Sequence, residues 1–257
     1  MQLKRYCAGF TLTELAVVFA IVALLIGGAM MTLSAQVDVR NTEETQRRLE
    51  AAREAVLGFA IANRRLPCPA VSGATGVEAL SSGTAADGGP CTTNYGGFLP
   101  AQTIGLLPVD AQGYGVDVWG NRIRYAVANL ITGCTGTATT PHFTSKANLK
   151  ANGVSCQPND LDICTTATGS TATACASGAV RLVSSDTAAI VIFSTGKNGA
   201  ITSAHGPDEA ENIDGDRVFV SRVFGGPNTG GGAYDDQLLI VPVGVLYSRL
   251  IAAGVLP

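Results

Sequence analysis

From Asp208 to Asp216 the chain reads Asp208-Glu209-Ala210-Glu211-Asn212-Ile213-Asp214-Gly215-Asp216, five carboxylates in nine residues. Such density suits a hard cation, because calcium takes about six to eight oxygens and a glycine beside Asp214 lets backbone carbonyls join the set. Asp235-Asp236 can contribute from a neighbouring loop. Two readings stand for these residues: a solvated acidic loop, which accounts for them most simply, and a calcium site formed by Asp208, Glu209, Glu211, Asp214, Asp216, Asp235 and Asp236. A second chemically pointed residue is Glu14, which stands at the edge of a stretch with no further charge before Asp38. A carboxylate carried to a bilayer centre costs about 2.5–3.5 kcal/mol, so its presence there calls for a function.

Catalytic patterns are missing. The sequence holds no G-x-S-x-G, no HExxH and no phosphate loop, and Ser194-Thr195-Gly196-Lys197-Asn198-Gly199 lacks the spacing of a phosphate cradle. Ser194, His205 and Asp208 can be drawn as a triad, but a strand end followed by a glycine turn explains the same residues. With two histidines in the chain, general base chemistry has few carriers, and no catalytic residue is assigned. Zinc is disfavoured as well, since no CxxC occurs and His142 and His205 stand apart.

Composition says what must position these groups. Of 257 residues 46% are hydrophobic and only 14% charged, the net charge is −3, and aromatics make up 6%. A basic nucleic-acid binder is excluded by that charge, and a wholly disordered chain by that hydrophobicity. Much of the apolar excess lies in Leu15–Leu33, a run long enough to cross a bilayer as a helix. Lys4 and Arg5 precede it, so the positive-inside rule keeps the N-terminus cytoplasmic and sends the rest outward. A cleaved secretory signal fits less well, because Leu33-Ser34-Ala35 offers only one of the two small residues its cut requires. Beyond the run, Leu49, Ala52, Val56 and Phe59 recur at helical spacing, and Glu43/Arg47 and Glu44/Arg48 are i,i+4 pairs. One helix from about Phe10 to Ala62 is expected, with Gly27-Gly28 as a bend or a close helix contact.

Lys4-Arg5, then Gly9-Phe10-Thr11-Leu12-Thr13-Glu14-Leu15 and the apolar run, resemble the class III leader of type IV pilins and type II secretion pseudopilins. The resemblance implies that prepilin peptidase cuts between Gly9 and Phe10 and that the new Phe10 amine is methylated. It implies further that Glu14 pairs with the Phe10 amine of a neighbouring subunit during assembly, two opposite charges tolerating an apolar setting better than either alone. Asp117-Val118-Trp119-Gly120-Asn121 followed by Ile123-Arg124-Tyr125 is similar to the loop and strand that open the sheet of major pseudopilins. Phe193–Gly199 followed by an acidic loop resembles their calcium region, although Lys197 stands where the family has an uncharged or acidic residue.

Loss of the leader removes Cys7 and leaves Cys68, Cys91, Cys134, Cys156, Cys164 and Cys175, an even set for an oxidising compartment. Neighbour pairing, 68 with 91, 134 with 156 and 164 with 175, is the reading taken among the connectivities that six cysteines allow. Residues 132–178, rich in Thr, Ala, Gly and Ser, read as a disulfide-stapled insertion. Strands are expected at Ile123–Leu130, Arg217–Val223 and Leu238–Val241. Ala179–Ser184 and Ala188–Phe193 are expected to form a hairpin, and Pro242–Ala253 a short helix.

The expected fold is α+β and type IV pilin-like, a long N-terminal transmembrane helix packed against an antiparallel β-sheet. Its parts are a leader at 1–9, a transmembrane and filament-core helix at 10–37, the outer half of that helix at 38–63 and a head at 64–257. The expected function is a structural subunit, a large minor one, of a type II secretion pseudopilus or type IV pilus in the bacterial inner membrane. Its partners would be other subunits, prepilin peptidase, the inner-membrane assembly platform and membrane lipid, with no nucleic acid. A membrane-tethered extracytoplasmic ligand-binding protein is the alternative.

Overall fold

The computed structural model describes residues 11–134, 140–178 and 180–256, with the side chains of 28–35 and 202 outside the description. The expected leader and its cut between Gly9 and Phe10 therefore lie outside the described residues. Two compact units divide after Glu43. In the first, the described chain is helical from Leu12 onward, the start of α1 (Leu12–Asn63), and Leu12, Leu15, Phe19, Leu24 and Leu25 are all exposed. Among the described residues no helix is long and apolar enough to cross a membrane; the run Leu15–Leu33 passes into the side chains outside the description.

The second unit starts with the rest of α1. Leu49, Ala52, Val56, Leu57 and Ala60 are buried there, while Phe59 of the expected stripe is only partly covered and carries the Arg65 guanidinium 5.1 Å from its ring centre. Full burial of a Leu or Val side chain such as Leu49 or Val56 is worth roughly 1.5–3 kcal/mol. On the exposed face Glu44 takes both Arg48, at 3.5 Å, and Arg47, at 3.4 Å. Arg48 Nη1 also donates to the carbonyls of Val116 and Asp117, tying the helix to the turn before the sheet.

Four strands form the main antiparallel sheet in the order β1 (Gly97–Phe98), β2 (Arg124–Val127), β7 (Ala188–Ser194) and β9 (Gln237–Pro242). Every residue of β7 is buried, as its unbroken apolar sequence demands of a strand covered on both faces, whereas burial alternates along β9 with period two. Between them run α2 (Ala101–Ile104), β3 (Ile131–Thr132), α3 (Lys146–Asn152), β4 (Gln157–Pro158), β5 (Asp162–Cys164) and β6 (Arg181–Val183). β3 and β4 pair with each other. A further sheet is ordered β6-β5-β8, with β8 (Val218–Val220) parallel to β5.

The expected hairpin of 179–184 with 188–193 is not formed. β6 pairs with β5, and β7 pairs with β2 and β9. Arg181 and Leu182 are exposed, so that strand suits a sheet edge, while the apolar β7 is drawn to the centre. Phe143, Leu149, Leu161 and Ile163 from the stretch read as an insertion join the same core as Val56, Ile190 and Leu239.

After β9 the chain turns at once into α5 (Val243–Ala252), with Pro242 at its N-cap and Gly254 just beyond its end. Leu246 and Leu250, one turn apart, are fully buried. Cys68 is bonded to Cys91, Cys134 to Cys156 and Cys164 to Cys175, at sequence separations of 23, 22 and 11. Closing a loop of about 15 residues stabilises by about 3 kcal/mol, a large contribution for a head with few aromatics.

Candidate functional site

At the start of α1, Thr11 and Glu14 bond each other reciprocally. The Thr11 N–H and hydroxyl donate to Glu14 Oε2 at 2.9 and 2.8 Å, and the Glu14 N–H donates to Thr11 Oγ1 at 3.3 Å. This is a capping box, and the Thr-x-x-Glu spacing that signals it stands in the sequence. Glu14 thus has a local task as helix cap in addition to the pairing that the resemblance implies.

The second candidate is the acidic region, most of which is helical. Pro207 opens α4 (Pro207–Ile213) directly after Gly206. Along that helix, residues three apart share a face. Glu209 and Asn212 turn toward the chain at 235–236, where Glu209 Oε1 accepts the Asp235 N–H at 2.7 Å and Asn212 Nδ2 donates to Asp236 Oδ2 at 2.7 Å. Asp208 and Glu211 turn the other way. Asp208 accepts from Thr166 Oγ1 and the Ala167 N–H, and Ser170 Oγ donates to Glu211 at 2.7 Å.

The seven acidic residues therefore do not act as one site. Asp208, almost fully buried, is neutralised by Arg222 at 2.6 Å. Glu209, Asp235 and Asp236 bring carboxylate oxygens within 4.8 Å of one another, and Glu211, Asp214 and Asp216 form a separate, more open group of the same kind.

In the first group Glu209 Oε2 accepts from Asn198 Nδ2 and the Gly206 N–H, and Asp235 Oδ2 accepts the N–H groups of Lys197 and Asn198. Two acceptors remain buried without a partner among the described residues, Asp235 Oδ1 and Asn198 Oδ1. Burial, with the charge of Glu209 added, pushes Asp235 up to about 6. Burial also raises Asp236 well above the usual carboxylate range, and the charges of Glu209 and Asp235 push it further against the bond from Asn212. In the second group burial raises Asp216 to about 6, helped by Asp214 and Glu211. Three close carboxylates and two orphaned acceptor oxygens match the donor chemistry a calcium ion requires. Asn198, inside the Phe193–Gly199 stretch whose resemblance points to a calcium region, and Asn212, inside the acidic window, belong to this arrangement, although neither is among the ligands expected from sequence. Gly196, at φ 64°, lets Asp235 lie against the backbone where a Cβ would collide with its carboxylate.

The paper triad is not assembled. Ser194 Oγ donates to buried Asp117 at 2.6 Å, and Asp208 serves Arg222. Asp117 itself is raised by burial, with the bond from Ser194 acting against the shift.

Residues 4–30 match the family model of the prokaryotic N-terminal methylation motif, the signal of type IV pilins and pseudopilins. No curated protein and no solved structure matches the chain.

Proposed function

We propose that this chain is a structural subunit of a type II secretion pseudopilus or a type IV pilus, anchored in the bacterial inner membrane with its head in the periplasm. The N-terminal methylation motif at residues 4–30 is the observation that carries the reading. Prepilin peptidase cuts between Gly9 and Phe10, and the inner-membrane assembly platform lifts the subunit into the filament. The exposure of Leu12, Leu15, Phe19 and Leu24 supports it, because such a surface must be covered, first by lipid and then by the helices of other subunits. The α+β head, with a helix and an antiparallel sheet sharing one core, is compatible with a pilin-like fold.

Within the head, Glu209, Asp235 and Asp236, assisted by Asn198, are proposed to hold a calcium ion. It would offset their mutual repulsion and tie the turn after β7 to the start of β9. Native mass spectrometry with and without a chelator tests occupancy.

The filament reading is tested by Gly9→Ala in cells. The uncut precursor should accumulate and the chain should vanish from sheared filaments. A variant that is still incorporated would sink the reading in favour of a tethered extracytoplasmic binding protein, for which cleavage is irrelevant.

A further inference from the structure

A cavity of about 260 Å³ opens on the outer face of the main sheet, walled by Phe98 of β1, Arg124 of β2, the 120–122 turn, the loop after β7 through His205, and Ile213 at the end of α4. Its donors are under-used. The Arg124 side chain has no hydrogen bond and no ion pair among the described residues; its guanidinium lies 5.1 Å from the Phe98 ring centre. Asp236 attracts it, but the Asp236 Oδ2 is held by Asn212. His205 Nε2 is buried without a partner, although in the tautomer that carries its proton there it is a ready donor. Arg122, by contrast, is spent on Asp110 at 2.6 Å and Gln112, and stacks on Tyr114.

We propose that this cavity binds a small organic carboxylate, its oxygens meeting Arg124 and His205 and its apolar body lying on Phe98 and Ile213. The planar guanidinium fork matches a carboxylate in geometry. A phosphate dianion fits less well, because Arg122 is already neutralised by Asp110, which leaves the Arg124 guanidinium to compensate a single negative charge. A volume of about 260 Å³, just below the roughly 300 Å³ at which drug-sized pockets begin, suits a small molecule. This inference is independent of the filament reading.

The test is 19F line broadening of 4-fluorobenzoate by the full-length protein in detergent micelles, with empty micelles subtracted. Saturable binding is expected, at least tenfold tighter than that of the uncharged 4-fluorobenzamide, and displaced poorly by inorganic phosphate. Arg124→Gln should abolish it. His205→Gln should weaken it several-fold, and because it leaves the sheet untouched it covers the case in which Arg124→Gln does not fold. Equal binding of the amide, preference for phosphate, or full binding by His205→Gln together with a folded Arg124→Gln would overturn the proposal.

Discussion

Arg65 and Glu78 form a bidentate ion pair sealed from solvent, with Nη1 to Oε2 at 2.8 Å, Nη2 to Oε1 at 2.6 Å, and side-chain exposures of 0% and 5%. The guanidinium also donates to the carbonyls of Leu66 and Ala85, and Glu78 accepts the Cys68 N–H, so the pair organises the whole loop that follows α1. Glu78→Ala leaves a buried cation uncompensated and is expected to cost about 3–5 kcal/mol in denaturant unfolding of the head. The double variant Arg65→Met, Glu78→Leu should recover most of that loss, because no lone charge remains; a double variant as weak as the single one would refute this account.

Cap and charge at Glu14 can be separated. Thr11→Ala removes the box and should loosen the first turn by about 1 kcal/mol, read as faster amide exchange at Glu14 and Leu15. Glu14→Gln keeps the geometry of the box but not the charge. If Glu14 pairs with a neighbouring amine, Glu14→Gln subunits should assemble more slowly than wild type while exchange in the first turn stays near normal.

Head stability in the presence of a chelator should fall as pH rises from about 4 to about 6. Asp235 and Asp216 are each raised to about 6 from an ordinary 3.8, so across that window the folded state binds more protons than the unfolded one and loses stability as they leave. Asp235→Asn should flatten the slope, and calcium should restore stability above pH 6. Thermal melts across the window check the sign, and a rise in Tm over it would contradict the burial argument.

Gly196→Ala should lower both stability and calcium retention. A side chain at φ 64° costs about 1–2 kcal/mol, and here the added Cβ would also strike Asp235. Differential scanning calorimetry and native mass spectrometry give the two readouts.

What the sequence disclosed depends on whether a signal was local. Pro242 and Gly254 bracket α5, and the Leu49–Val56 stripe marks the buried face of α1, because both are written within a few residues. Strand partnership is not. Ser185-Asp186 marks a turn, yet the strands around it part company, since burial on both faces of β7 decides its neighbours and burial is settled by distant segments. β5, in a Thr/Ala-rich stretch, carries no strand signature at all and is fixed by parallel pairing with β8. The acidic window was legible as chemistry but not as geometry: counted as a loop, its five carboxylates pool with Asp235 and Asp236 into one set, whereas helical spacing in α4 sends Asp208 and Glu211 one way and Glu209 the other. Pro207 after Gly206 was the overlooked sign of that helix.

The three disulfides lie one after another along the chain, and no loop encloses or crosses the next. A head delivered from its N-terminal side onward can therefore close each ring before the following cysteine pair has emerged, so the order of delivery itself selects the native partners. Opening any one ring leaves the other two topologically unchanged, which gives the head three independent clasps in place of one interlocked knot.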